Sequence, residues 1–482
     1  VLVLVPEISL TTQWLERFKE RFGTEPVIWH SEMTPAQRRR AWWATIKNEA
    51  RVVVGARSAL FLPFPNLKLV IVDEEHSTTF KQDEGVMYNG RDMAVVRAMQ
   101  VQCTVVLASA TPSLETMINA EKGKYDWLYL GERHGPAELP NMSSIDLRVH
   151  KLKTGSWISA PLFQALKENY ENGEQSLLYL NRRGYAPLTL CRACGHRMEC
   201  PHCSAWLVEH NRFNKLECHH CGFSKPKPEI CPACEKEDSL VACGPGVERV
   251  AEELIMLFPD ARLAVMSSDE IGSPKVLKAM MESIENHEVD FIVGTQIVTK
   301  GYHFPMLTLV GVIDADLGMS GADPRAAERT WQQLEQVAGR AGRAEHAGRV
   351  MFQTYQPDHP VLRALISGDK DKFLEQEAAS REAQNLPPYG KLASLIISGP
   401  DRNNVMISCK SLAKCAPHGR DITVLGPVPA PLSYLRGNYR YRFLIKATSN
   451  VNLQKEIRNW LNQLPPQRGV KIQIDIDPYS FY

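Results

Sequence analysis

Eight of the 12 cysteines fall in one 44-residue window as four Cys-x-x-Cys pairs: Cys191/Cys194, Cys200/Cys203, Cys218/Cys221 and Cys231/Cys234. No other feature of the chain restricts its fold as tightly. Each pair places two thiolates on one tight turn, and two such turns complete a closed tetrahedral Zn²⁺ site. Eight thiolates make two sites, and four pairs can combine in three ways. The inner pairs, Cys200/Cys203 and Cys218/Cys221, enclose 14 residues, a workable ribbon spacing. Their complement joins Cys191/Cys194 to Cys231/Cys234. His196, His202, His219 and His220 are the alternative ligands. Large apolar side chains are few here, chiefly Trp206, Leu207, Phe213, Leu216 and Phe223. Metal binding must then supply much of the folding free energy, and both ions are expected to be structural. Disulfides fit less well. The opening run Val1-Leu2-Val3-Leu4-Val5 is too short for a secretion signal and leads directly into Pro6-Glu7. Cys103, Cys243, Cys409 and Cys415 read as small core or surface residues.

Around that window the chain alternates short β-branched runs with helical patterns. Val1–Val5, Val52–Val54, Leu69–Val72 and Val105–Leu107 are near-continuous apolar strands, as in a parallel sheet covered on both faces. Thr11–Phe22, Pro35–Lys47 and Arg91–Met99 read as the helices between them, with Thr34 before Pro35 as an N-cap. A second series holds the helices Ala160–Glu171, Val247–Phe258 and Pro324–Val337. Its strands are Ser176–Leu180, Arg262–Val265, Phe291–Val293, Leu309–Ile313 and Val350–Gln353. The expected class is α/β, with two parallel-sheet lobes, a cysteine-rich insertion in the second, and an α+β C-terminal domain. The expected boundaries are 1–130, a linker at 131–155, 156–384 containing the module at 188–240, and 385–482. The 56 Lys and Arg balance 55 Asp and Glu, so any nucleic acid must be held by local basic surfaces. No stretch approaches the length of a transmembrane helix, and no membrane partner is expected. The chain lacks a start Met and reads as cut from a longer one.

Five groups outside the cysteine window carry chemistry. Asp73-Glu74-Glu75-His76 ends an apolar strand, where one acid can hold Mg²⁺ and the next can orient an attacking water. Ser109-Ala110-Thr111 ends another strand. Gln336-Val-Ala-Gly339-Arg340-Ala-Gly342-Arg343 places two guanidinium groups at i, i+3, able to reach a nucleotide γ-phosphate. Gly294-Thr295-Gln296…Lys300-Gly301 also follows a strand and can face nucleotide or nucleic acid. Near the end, Leu435-Arg436-Gly437-Asn438-Tyr439-Arg440-Tyr441-Arg442 alternates base and aromatic, so a strand here puts Arg440 and Arg442 on one face.

These pieces stand in the order of superfamily 2 helicase motifs. Pro6-Glu7, Gly55-Ala-Arg57-Ser58, Asp73–His76 and Ser109–Thr111 resemble motifs Ia, Ib, II and III. Asn181-Arg182-Arg183-Gly184, Gly294–Pro305 and Gln336–Arg343 resemble IV, V and VI. Asn181–Pro187 running into the cysteine window, and Gly426-Pro-Val-Pro429 later, narrow the resemblance to the PriA family of bacterial primosomal helicases, over essentially the whole chain.

The resemblance implies an ATP-dependent 3′-to-5′ DNA helicase that recognises stalled forks and initiates primosome assembly. ATP is the substrate, with Asp73, Lys300, Gly301 and Gln336 at the nucleotide and its Mg²⁺. Glu74, Arg340 and Arg343 are the catalytic residues. Arg57, Ser58, Phe80, Tyr88, Arg182, Thr295, Arg440 and Arg442 are the expected DNA contacts. The nested cysteine pairing is also implied. So are partners: forked and single-stranded DNA, single-strand DNA-binding protein, other primosome proteins and the machinery that loads the replicative helicase. The implied location is the bacterial cytoplasm, at the nucleoid. Two departures stand out. No Gly-x-x-x-x-Gly-Lys-[Ser/Thr] loop occurs, and the family carries it upstream of the position of Val1, so this chain by itself is expected to bind ATP poorly. Val86-Met87 also replace the aromatic and Arg often found before Tyr88. The other reading is therefore an ATPase-deficient platform for DNA binding and primosome assembly.

Overall fold

The computed structural model describes every residue except 7–11, 84, 132–139, 154, 182–187, 202–206, 211–214, 218–222, 238, 244–246, 267–273, 296–303, 305, 320–322, 343–347, 436, 464–466 and 480–482. The chain forms two compact units, one of them Val1–Tyr129 with Ile271–Glu282 and Ile297–Phe304.

In that first unit five strands form a wholly parallel sheet in the order β2-β3-β1-β4-β7. They are β1 (Leu2–Leu4), β2 (Val27–Trp29), β3 (Val53–Gly55), β4 (Leu69–Asp73) and β7 (Thr104–Ala108), while β5 (Lys81–Gln82) and β6 (Tyr88–Asn89) make a separate small hairpin. The helices are α1 (Thr12–Phe22), α2 (Pro35–Ile46), α3 (Gly90–Val101) and α4 (Leu114–Glu121). Thr34 caps α2 as its sequence predicts: its hydroxyl accepts from Gln37 N while the Gln37 side chain returns to the Thr34 amide. The core gathers Leu2, Leu4, Val53, Leu60, Val70, Val72 and Phe80. Gly55 ends β3 where a Cβ would lie 2.3 Å from Trp29 O, so only glycine fits.

The second unit is built on a six-stranded parallel sheet, ordered β15-β16-β9-β17-β18-β8. Its strands are β8 (Asn141–Asp146), β9 (Gln175–Tyr179), β15 (Leu263–Met266), β16 (Phe291–Gly294), β17 (Leu307–Val312) and β18 (Arg349–Thr354). Strand β8 corrects the expected linker at 131–155. Only Met142 and Ile145 in it are apolar, so periodicity hides it, yet pairing with the edge of β18 satisfies its backbone. The helices α5 (Ala160–Glu171), α6 (Val247–Leu257), α7 (Pro274–Glu285), whose residues through Glu282 count with the first unit, α8 (Ala326–Ala338), α9 (Pro360–Ser367) and α10 (Lys370–Ala383) follow in chain order. Between β9 and α6 lies an antiparallel sheet, β13-β12-β11-β10-β14, of β10 (Leu188–Cys191), β11 (Val208–His210), β12 (Lys215–Glu217), β13 (Ser224–Pro226) and β14 (Leu240–Cys243). Its small core is Met198, Leu207, Leu216 and Leu240 with three cysteines.

The C-terminal sheet is antiparallel in the order β20-β21-β19-β22, with α11 (Arg402–Lys414) and α12 (Leu453–Leu461). Strands β19 (Gly390–Gly399), β20 (Ile422–Leu435) and β21 (Asn438–Thr448) are long, and β22 (Lys471–Ile476) closes the edge. Helix α10, which leads into this domain, and the residues after β22 both meet α8 or its N-cap. Arg381 of α10 donates to Glu328 Oε2 at 2.7 Å and to Glu377 Oε1 at 2.8 Å, both Arg381 and Glu328 being nearly inaccessible. After β22, Arg325 donates to Pro478 O, and the Arg325 and Arg329 guanidinium groups lie 4.7 and 5.2 Å from the centre of the Tyr479 ring.

Candidate nucleotide and zinc sites

Strand β4 delivers Asp73 at its carboxyl end, where open α/β sheets bind ligands. Its Oδ1 accepts from Glu74 N at 3.0 Å, and desolvation raises its pKa above the usual carboxylate value. Glu74 turns the chain with φ +50°, a left-handed conformation rare for a non-glycine residue and concentrated at functional sites. Its side chain remains partly exposed, 3.5 Å from His76 Nδ1. The turn is fastened to the next strand. Glu75 N donates to Ala108 O, and His76 Nδ1 lies 2.7 Å from Ser109 Oγ, which itself accepts from Thr111 N.

Glu75, assigned no role from sequence, holds this arrangement from below. It accepts from Ser113 N, Ser113 Oγ, Thr116 Oγ1 and Arg91. Four donors on one buried carboxylate fix the acidic turn to the start of α4 and to α3. The only sequence signal for it is a third acid directly after a buried strand.

The other expected contacts scatter. Ser58 is exposed and its hydroxyl accepts from Trp29 Nε1 at 3.1 Å, whereas Arg57 donates to Lys81 O. Tyr88 is half-buried, edge-on to the exposed Phe61 ring at 5.3 Å. Phe80 is 1% exposed and belongs to the core, so it offers no ring face to a base, contrary to expectation. Thr295 follows β16, Gln336 lies on α8, and Arg340 follows its Gly339 cap with its amide bonded to Val337 O. On β21, Arg442 is 6% exposed and its pKa is lowered by burial, while Arg440 is half-buried. The strand thus presents no open basic stripe, because Arg442 is buried on the face opposite Tyr441 and Phe443. Arg182, Lys300, Gly301 and Arg343 lie outside the described residues, as do Cys203, Cys218 and Cys221.

The outer cysteines converge. The sulfurs of Cys191, Cys194, Cys231 and Cys234 all lie within 4.8 Å of one another, with Cys191–Cys234 at 3.6 Å and Cys194–Cys231 at 3.9 Å. Four thiolates about 2.3 Å from a tetrahedral ion are separated by about 3.8 Å, so this group fits zinc. Burial opposes the Cys191 thiolate, but the Ser239 hydroxyl and the Cys194 and Ala193 amides prevail and bring it down to about 6. Burial pushes Cys194 up to about 12.

Family profiles match four stretches: a DEAD/DEAH box helicase over residues 1–119, a helicase conserved C-terminal domain over 244–345, the PriA DNA helicase Cys-rich region over 200–226, and the primosomal protein N C-terminal domain over 382–479. The replication restart protein PriA of Rickettsia felis is 47% identical over 482 residues, covering all of this chain and 74% of that protein. The chain belongs to the PriA family. The PriA of Rickettsia conorii is similar to the same degree, 47% over 482 residues, and the PriA of Bacillus subtilis is 38% identical over 485 residues, spanning 99% of this chain and 60% of that one. The PriA Cys-rich profile falls inside the outer cysteine pairs, and the PriA C-terminal profile covers β19 through β22. Among the described residues no helix is long and apolar enough to cross a membrane.

Proposed function

We propose that this chain works as an ATP-dependent 3′-to-5′ DNA helicase of replication restart, which recognises stalled forks and starts primosome assembly. The supporting observation is the strained, fastened turn at Asp73–His76 in a PriA-family chain. Asp73 holds Mg²⁺, and Glu74 orients the attacking water. Gln336, Lys300 and Gly301 contact the nucleotide, while Arg340 and Arg343 stabilise charge on the phosphoryl group. When bound, Mg²⁺ neutralises charge on the β- and γ-phosphates. Arg57, Ser58, Tyr88, Arg182, Thr295 and Arg440 are the DNA contacts in this reading. Two structural Zn²⁺ ions sit in the nested cysteine pairs, and the module and C-terminal domain engage fork DNA, single-strand DNA-binding protein and the helicase-loading proteins at the nucleoid.

Glu74→Gln tests the motor. In a longer polypeptide that carries the family's phosphate-binding loop upstream of Val1, removing the group that orients water while keeping Mg²⁺ ligation at Asp73 is expected to lower DNA-stimulated ATP turnover by about 100-fold or more, with nucleotide affinity little changed. Near-normal turnover would take Glu74 out of the mechanism.

A further inference from the structure

The turn that carries the first two zinc ligands is seated on the parallel sheet around it. Cys191 N donates to His196 O, Gly195 N to Cys191 O, and Met198 N to Thr189 O, so the backbone on both sides of Arg197 is set by the ligand turn. Arg197 also bridges Leu190 on β10. Its guanidinium leaves the module and lies 3.3 Å from Asp316 Oδ2, with side-chain exposures of 5% and 2%. Asp316 in turn accepts from Thr354 Oγ1 and from Tyr355 N, at the end of β18. Its own amide donates to Asp314, and Asn181, after β9, donates to Leu317 O at 2.6 Å. Gly195, at φ +76°, lies flat enough against Tyr355 that a Cβ there would be 3.4 Å away. One carboxylate thus joins the zinc turn to the carboxyl ends of β17 and β18, in the segment leading to α8.

We propose that Arg197 is a positioning residue that couples the outer zinc site, Cys191/Cys194/Cys231/Cys234, to the loop 313–319 of the motor sheet through Asp316. The proposal rests on the zinc reading given above. A buried ion pair is expensive to leave half-made, so loosening the ligand turn strips Asp316 of its cation and frees the loop. Coupling of this kind is reciprocal: whatever zinc does for Asp316, Asp316 does for zinc affinity.

That reciprocity gives the experiment. Zinc release from the whole chain to an excess of a chromophoric chelator is followed for the wild type, Asp316→Asn, Arg197→Met and the double variant. Asp316→Asn lies far in sequence from every cysteine, yet it should weaken the outer site's zinc affinity, and so speed its release, by roughly 5-fold or more, the outer site being the release phase missing from a Cys231→Ser control. Arg197→Met should do the same, and the double variant should add nothing. Before any zinc is lost, hydrogen exchange at Ala315–Met319 should already be faster in Arg197→Met, with β15 and β16 unchanged. Release at the wild-type rate from a zinc-loaded Asp316→Asn protein overturns the coupling and leaves the zinc reading standing. A wild type purified under reducing conditions without zinc overturns both. Should Asp316→Asn fail to fold, Thr354→Val removes the hydroxyl that donates to Asp316 and accepts from Gln356 N, and carries the same measurement, with wild-type release again deciding against the coupling.

Discussion

Phe80 and Tyr88 flank the same short hairpin and yet belong to different physical environments. The ring of Phe80 is packed among Leu60, Val72 and Ala94, whereas Tyr88 keeps part of its surface and its edge-on contact with Phe61. Sequence resemblance placed both among the DNA contacts. Burial separates them, since a side chain that fills the core cannot also stack on a base. Phe80→Ala is therefore expected to cost about 3–5 kcal/mol in denaturant unfolding of its unit, the usual cost of emptying a buried phenyl site. Tyr88→Ala should leave that transition nearly in place and lower single-strand affinity. An unfolding midpoint for Phe80→Ala equal to the wild type would contradict the placement.

The loop after β17 shows the same interplay at the level of an element. Asp314 retains some surface but sits deep in the protein; desolvation, and then the neighbouring Asp316, push its carboxyl up to about 7. An acid raised in the folded state binds a proton there that the unfolded chain has released. Stability is therefore lost as pH climbs from about 4 to 7, and the penalty is complete above that. Asp314→Asn keeps an oxygen to accept from Asp316 N and Leu317 N but carries no charge. Its melting temperature should exceed the wild type's by more at pH 8 than at pH 5, and equal gains at both would show that Asp314 is not the titrating group. None of this was legible in the sequence, where Asp314 and Asp316 simply follow the strand expected at Leu309–Ile313. Periodicity did locate the parallel strands and the helices Ala160–Glu171 and Val247–Leu257, because each buries a continuous apolar face. It missed β2, a half-buried strand at the edge of its sheet, and β8, whose polar residues are held by an edge rather than by a core. Local chemistry was readable for the same reason: the Cys-x-x-Cys turns and the acidic turn at Asp73 are contiguous in sequence. Glu75 with Ser113, and Arg197 with Asp316, meet only after folding, 38 and 119 residues apart.

At the scale of the second unit, the C-terminal sheet is held at both ends to α8 and its N-cap: α10, which leads into it, bonds Glu328 through Arg381 and sets Phe373 against Trp331, and Tyr479, after β22, lies under Arg325 and Arg329. Tyr479→Ala alone should leave the segment 384–390 as resistant to limited proteolysis as in the wild type. Combined with Arg381→Met it should open that segment to cleavage, and cleavage in the single Tyr479 variant would show that the two contacts do not share the load. The physical reason is proximity: while either contact is made, the short path through the domain keeps the partners of the other within reach, at an effective concentration on the order of millimolar. A chance rupture at one mooring is then remade before the domain can drift, so its attachment is far longer-lived than either contact would be alone.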